Sequence, residues 1–172
     1  MDIAGLFLVE NYIMKDVRGI FVKTYHAEMF KEIGFTNSFK ESYYSQSQQN
    51  VIRGMHFQLP PHDHEKLVYV AQGKILDVVL DVQIESPSFG RSVSVELNAF
   101  GSSLLIPKGC AHGFLTLSET AIVVYNVSTV YNKDADKGIL WNSFHFDWKI
   151  ENPILSERDR TFPPFNNLTS LL

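Results

Sequence analysis

A single cysteine among 172 residues, Cys110, excludes an intrachain disulfide framework and any cysteine-rich zinc site, and it fits a reducing, cytoplasmic setting. Basic clusters are missing as well. Fifteen Lys and Arg against nineteen Asp and Glu leave a net charge of −4, so neither nucleic acid nor an anionic membrane is an expected partner. No apolar run reaches spanning length, and the opening stretch through Glu10 lacks a basic flank, which reads as neither signal peptide nor anchor. Repeats, low-complexity tracts and linkers are absent too, and the ten Gly and seven Pro are scattered as turn punctuation. What remains is 45% apolar content in one chain of domain length, enough for one core spanning residues 1–172.

The apolar residues are arranged mostly with strand period. Leu6–Val9 reads as a first strand, Lys15–Gly19 as a turn and Ile20–Tyr25 as a second strand. Ala27–Ile33, with Met29, Phe30 and Ile33 at helical spacing and Gly34 beyond, reads as a short helix with a glycine C-cap. Phe39–Ser47, Val51–Gln58, Lys66–Tyr69, Lys74–Val82, Ser92–Leu97, Leu104–Ile106 and Ala121–Val127 are further strands. Ser92–Leu97 alternates three times between Ser or Glu and Val or Leu, which marks an antiparallel strand with one face in the core. Asp77 and Asp81, four apart, share a strand face that is polar or exposed. Many short strands without intervening helices predict an all-β sandwich or jelly roll with short peripheral helices.

Chemistry gathers in Val51–Gln58, which sets Arg53 and His56 among β-type residues, and in Lys66 after a Pro60-Pro61-His62 corner. A lone strand histidine is most simply a buried one with a satisfied hydrogen bond, and later segments change that reading. Gly101, five residues, Pro107-Lys108-Gly109, two residues and His112 resemble the second motif of the cupin superfamily, with Thr116 where Asn is usual. Metal cupins pair that histidine with a His-X-His and a glutamate. His62-Asp63-His64 offers the first, but Lys66 stands seven residues before Gly73, at the glutamate's place. A cation at a ligand position argues against a metal and for a site that stabilises an anion, with His62 and His64 as exposed loop residues.

The ordered series Arg53-Gly54-Met55-His56-Phe57-Gln58, Lys66-Leu67-Val68, Asp77 to Asp81, Ser86 to Gly90, Ala111-His112-Gly113-Phe114, Gly138 to Asn142, Asp147-Trp148 and Pro153 to Asp159 resembles the dTDP-4-dehydrorhamnose 3,5-epimerase family over about residues 5–165. The resemblance implies a cupin jelly roll, a homodimer exchanging an N-terminal strand, and a nucleotide-diphosphate 4-keto-6-deoxy sugar as substrate. It implies His56 as base with Asp159 behind it, Tyr125 as the acid on the opposite face, and Lys66 at the enolate oxygen. Arg53 would assist there or bind the diphosphate, Asp77 and His112 would support the sugar pocket, and Arg18 would reach a neighbouring site. No metal or cofactor is needed, because the substrate's own ketone acidifies both neighbouring C–H bonds.

Departures from the family pattern gather where the base should lie. Lys23 replaces a usual Glu, Glu41 a usual Gln, and Val130-Tyr131 a common aromatic pair. Cytosine pairs an N3 acceptor with an amino donor where thymine has a donor between two carbonyls, so a CDP-linked substrate is one alternative. A Lys23–Glu41 salt bridge in an unchanged site is the other. His64-Glu65 and Tyr69, where Gln-Gly and Arg are frequent, leave inversion at C3 alone, C5 alone or both open. A metal-dependent cupin and a non-catalytic sugar-nucleotide-binding cupin are the alternatives outside this chemistry.

Overall fold

The computed structural model describes residues 2–170; Met1, Leu171 and Leu172, part of the expected single domain, lie outside the described residues. Its strands are β1 (Phe7–Val9), β2 (Tyr12–Asp16), β3 (Gly19–Lys23), β4 (Glu41–Gln48), β5 (Ile52–Gln58), β6 (Lys66–Gln72), β7 (Lys74–Asp81), β8 (Ser92–Asn98), β9 (Ser103–Ile106), β10 (Cys110–Thr116), β11 (Thr120–Val127) and β12 (Asp136–Gly138). Two short helices, α1 (Ala27–Glu32) and α2 (Glu157–Arg160), and a 3-10 turn at Phe165–Ser170 complete it. One sheet runs β1-β9-β6-β11-β4 and the other β12-β5-β10-β7-β8, every pairing antiparallel. This is the expected jelly roll.

Alternation explains the layers. Val68, Leu104, Ile106, Val123 and Tyr125 of the first sheet meet Ile75, Val79, Leu97 and Phe114 of the second in a common core. The opposite face of β5, β7 and β10 is not left to water: Met55, Phe57, Val78, Leu80 and Ala111 pack against Ile139, Phe144 and Trp148 of the C-terminal segment. That double cover is why all seven residues of β10 are buried. On the other flank Phe30, Phe35 and Phe39 from the α1 region cover Leu67 and Leu105.

Three local readings change. Tyr12–Asp16 is a strand, the turn narrows to Val17-Arg18, and β2 and β3 form a separate hairpin. Its Tyr12, Met14 and Phe21 are all more than half exposed, so no buried face within the chain betrays its period. Asp77 and Asp81 share a face as expected, but it is buried: Asp77 pairs with His112, and Asp81 accepts from the Ser86 and Ser88 hydroxyls. His62 and His64 are half-buried rather than exposed, held to the strands by Gln58, Thr129 and Asn132.

The join between β5 and β10 positions the site. His112 lies opposite His56 and Phe114 opposite Arg53, so β5 spends three residues where β10 spends two. This bulge turns Arg53 and His56, three apart, to one face. It closes only because Gly54 (φ +129°) faces Gly113; a Cβ on Gly54 would sit 2.5 Å from Gly113 Cα and 2.8 Å from the His112 carbonyl oxygen. Gly54→Ala is expected to cost at least about 2 kcal/mol of stability. Urea unfolding checks it, and an unchanged midpoint would refute the close-packing account.

Candidate active site

β5 and β10 present His56, Arg53 and His112 to the space between the sheets, and β6, β11 and β4 present Lys66, Tyr125, Tyr43 and Ser45 from the other side. These side chains, with Phe114, line a cavity of about 280 Å³. A second cavity of about 330 Å³ shares Tyr43, His56 and Lys66 with it and extends past Glu41, His64, Tyr131, Asp136 and Arg158. Together they form one cleft with a deep and an outer part.

His56 Nε2 is 2.9 Å from Asp159 Oδ1, and the other Asp159 oxygen accepts from the Gly54 amide at 3.2 Å. Asp159 reaches this place because Ser156 caps α2, accepting from the Asp159 N–H with its own hydroxyl. Burial pushes the Asp159 carboxyl up, but the bonds with His56, the Gly54 amide and Ser156 prevail and hold it below the ordinary carboxylate range. An ionised Asp159 assigns the ring proton to Nε2 and leaves Nδ1 as the basic nitrogen. Phe162 packs edge-on against the His56 ring at 5.6 Å, in space open only because Gly138, opposite His56, has no side chain.

Lys66 is buried, 5% exposed, and gives one N–H to the His56 carbonyl oxygen at 3.2 Å. Burial lowers its pKa to about 8, although Asp136, Cys110 and Asp77 pull the other way. An ammonium held here at neutral pH lacks water and favours any negative charge that develops beside it. Tyr125 stacks on Tyr43, directly opposite on β4, at 4.8 Å, and its hydroxyl lies 3.5 Å from Ser45 Oγ. Burial raises its pKa, so it is a phenol with a proton to give. His112 Nε2 is 2.8 Å from Asp77 Oδ2 in a fully buried pair, leaving Asp77 Oδ1 without a partner among the described residues.

The fold therefore brings His56, Asp159, Lys66, Tyr125, Arg53, His112, Asp77, Glu41 and Tyr131 to one cleft, with Glu41 accepting from the Tyr131 N–H at 2.7 Å. It does not bring Arg18 or Lys23 there. Arg18 is at the tip of the β2–β3 hairpin, bound to Asp16, and Lys23 lies 5.7 Å over the Tyr12 ring in another groove. No salt bridge joins Lys23 to Glu41 within the chain. Tyr43, Ser45, Asp136, Arg158 and Phe162 were not singled out by sequence for the site. Strand register places Tyr43, Ser45 and Asp136; Arg158 neighbours Asp159, and Phe162 follows α2 into the space Gly138 leaves.

The chain matches the family model described as dTDP-4-dehydrorhamnose 3,5-epimerase over residues 1–167. It is 37% identical over 162 residues to the dTDP-4-dehydrorhamnose 3,5-epimerase of Shigella flexneri, covering 92% of this chain and 90% of that one. A Bacillus anthracis dTDP-4-dehydrorhamnose 3,5-epimerase solved with TDP and PPi bound superposes with a TM-score of 0.89 at 39% identity, over 92% of this chain and 93% of that one. The Legionella pneumophila dTDP-6-deoxy-D-glucose-3,5-epimerase, in complex with dTDP-4-keto-L-rhamnose, gives 0.94 at 32% identity over 100% and 94%.

Proposed function

The chain belongs to the dTDP-4-dehydrorhamnose 3,5-epimerase family, and from that premise we propose that it inverts C3 and C5 of a dTDP-linked 4-keto-6-deoxyhexose. The observation that carries this reading is the opposition across one cavity of His56, backed by Asp159 of α2, on one sheet and Tyr125 on the other, with Lys66 reaching from the sheet of Tyr125 to the His56 carbonyl. Both carbons are alpha to the C4 ketone. His56 Nδ1 takes the proton from C3 or C5, and the C–H electron pair moves into an enolate whose oxygen faces the Lys66 ammonium. Asp159 supports the imidazolium. Tyr125 returns a proton from the other face, and the inverted carbon results.

Arg53 lines the deep cavity beside these groups and takes the diphosphate or the enolate oxygen; His112 with Asp77 fixes the cavity floor. The β2–β3 hairpin, apolar and more than a third exposed along much of its length, crosses to a partner in a homodimer and carries Arg18 and Lys23 to that partner's cleft. With its one thiol buried and unpaired, the enzyme works in the cytoplasm.

The test is deuterium wash-in at C3 and C5, followed by NMR in D2O, with dTDP- and CDP-4-keto-6-deoxyglucose. Wash-in at both carbons of the dTDP compound is expected. Glu41, a carboxylate on the outer cavity wall, is the feature that favours the amino group of cytosine, and a tenfold preference for the CDP compound would move the reading there. Wash-in with neither would overturn it. Tyr125→Phe is expected to keep wash-in while net inversion falls at least about a hundredfold, since only the opposite-face proton donor is lost. Inversion at the wild-type rate would remove Tyr125 from the mechanism.

A further inference from the structure

His64 stands outside the proton carriers and the lysine, yet its ring shares the outer cavity wall with His56, Lys66 and Arg158. Its Nδ1 is 3.2 Å from Gln58 Nε2 and 3.3 Å from Thr129 Oγ1. The Gln58 amide is oriented by the Asn132 N–H, which donates to its oxygen at 2.7 Å, so its nitrogen faces His64 and the His62 carbonyl. The Thr129 hydroxyl gives its hydrogen to that same carbonyl at 2.8 Å. An amide NH2 only donates; Nδ1 must therefore accept, and the ring proton resides on Nε2. A second proton on Nδ1 would confront the amide, and burial together with Lys66 and Lys108 lowers the pKa to about 3. The ring is a neutral donor whose Nε2–H makes no hydrogen bond among the described residues.

Resting on the nucleotide-sugar reading above, we propose that His64 is a specificity-determining residue, its Nε2–H donating to a hexose or diphosphate oxygen of the substrate held beside Lys66. The charged neighbours attract without choosing an orientation. A neutral, single, fixed donor selects for an acceptor at one place and rejects a substrate lacking it, because its own N–H would then stay buried and unpaired. Two residues before Lys66 and anchored by Gln58 and Thr129, it has little freedom to follow a different sugar.

Calorimetric titration of wild type, His64→Phe and His64→Gln with dTDP and with dTDP-glucose tests this. His64→Phe keeps the ring and loses the donor, and is expected to weaken dTDP-glucose binding about tenfold; His64→Gln, which restores an N–H, recovers most of it. Equal weakening for dTDP supports a diphosphate acceptor, and weakening confined to dTDP-glucose supports one on the hexose. Unchanged affinities in His64→Phe overturn the inference alone, whereas a wild type that binds neither compound overturns the nucleotide-sugar reading with it. Should His64→Phe fail to fold, wild type labelled with 15N-histidine decides: ligand is expected to shift the His64 Nε2–H resonance downfield, and an unmoved resonance refutes the contact.

Discussion

His56→Ala is expected to lose at least about a thousandfold in turnover, with deuterium wash-in at C3 and C5 falling together. The fall should be joint because in the proposed mechanism one basic nitrogen serves both carbons: Nε2 of His56 is tied to Asp159 at 2.9 Å, which leaves Nδ1 for the substrate. Asp159→Asn should approach this loss without removing the ring. Asp159 accepts from both His56 and the Gly54 amide, and an asparagine has one acceptor oxygen for the two donors, so its NH2 must face one of them. The imidazolium then also forms beside a neutral amide. Wash-in surviving at one carbon in His56→Ala would assign that carbon's base to another residue, with His112 the first to examine.

The second large effect has two parts of opposite sign. Lys66→Met is expected to lower turnover by about 10²- to 10³-fold, because in the proposed mechanism the enolate oxygen loses the buried ammonium that faces it. It is also expected to raise the melting temperature. A lysine 5% exposed with a pKa lowered to about 8 is a group whose charge opposes folding. Below about pH 8 the side chain is charged in both states and the burial penalty is fully present. Between about 8 and the unfolded value of 10.5 the unfolded chain binds more protons, so stability climbs with pH by on the order of 3 kcal/mol from this residue. Wild-type melting should show that climb, and Lys66→Met should lack it. Activity runs the other way: kcat/KM should fall as pH rises through about 8, where the free enzyme loses the ammonium. A flat melting profile over that window, or a destabilised Lys66→Met, would mean the lysine is stabilised by partners rather than strained by burial.

Much of the architecture follows from residue order. Alternation in β8, the β-branched run of β7 and the turn at Pro107-Lys108-Gly109 impose strands whatever surrounds them, and Gly34 at φ +94° ends the helical stretch after Ile33. His56, Asp159, Lys66 and Tyr125 were named through the family that an ordered series of motifs resembles, and the fold gathers these four at one cleft. What the sequence by itself determined, then, was the strand content, which resides in local spacing, and, through its resemblance to a family, a part of the cleft's side chains. The tertiary structure alone decided which side chains meet. Arg53 and His56, three apart, face one way only through a bulge closed by two glycines. Tyr43 meets Tyr125, eighty-two positions on, through the β4–β11 register, and His64 turns from a loop histidine into a fixed donor through Gln58 and Thr129. Of the β2–β3 hairpin only β3 was legible, as Ile20–Tyr25 from its β-type residues; β2 was not, because period announces a strand only where one face is buried, and β2 buries neither within its own chain.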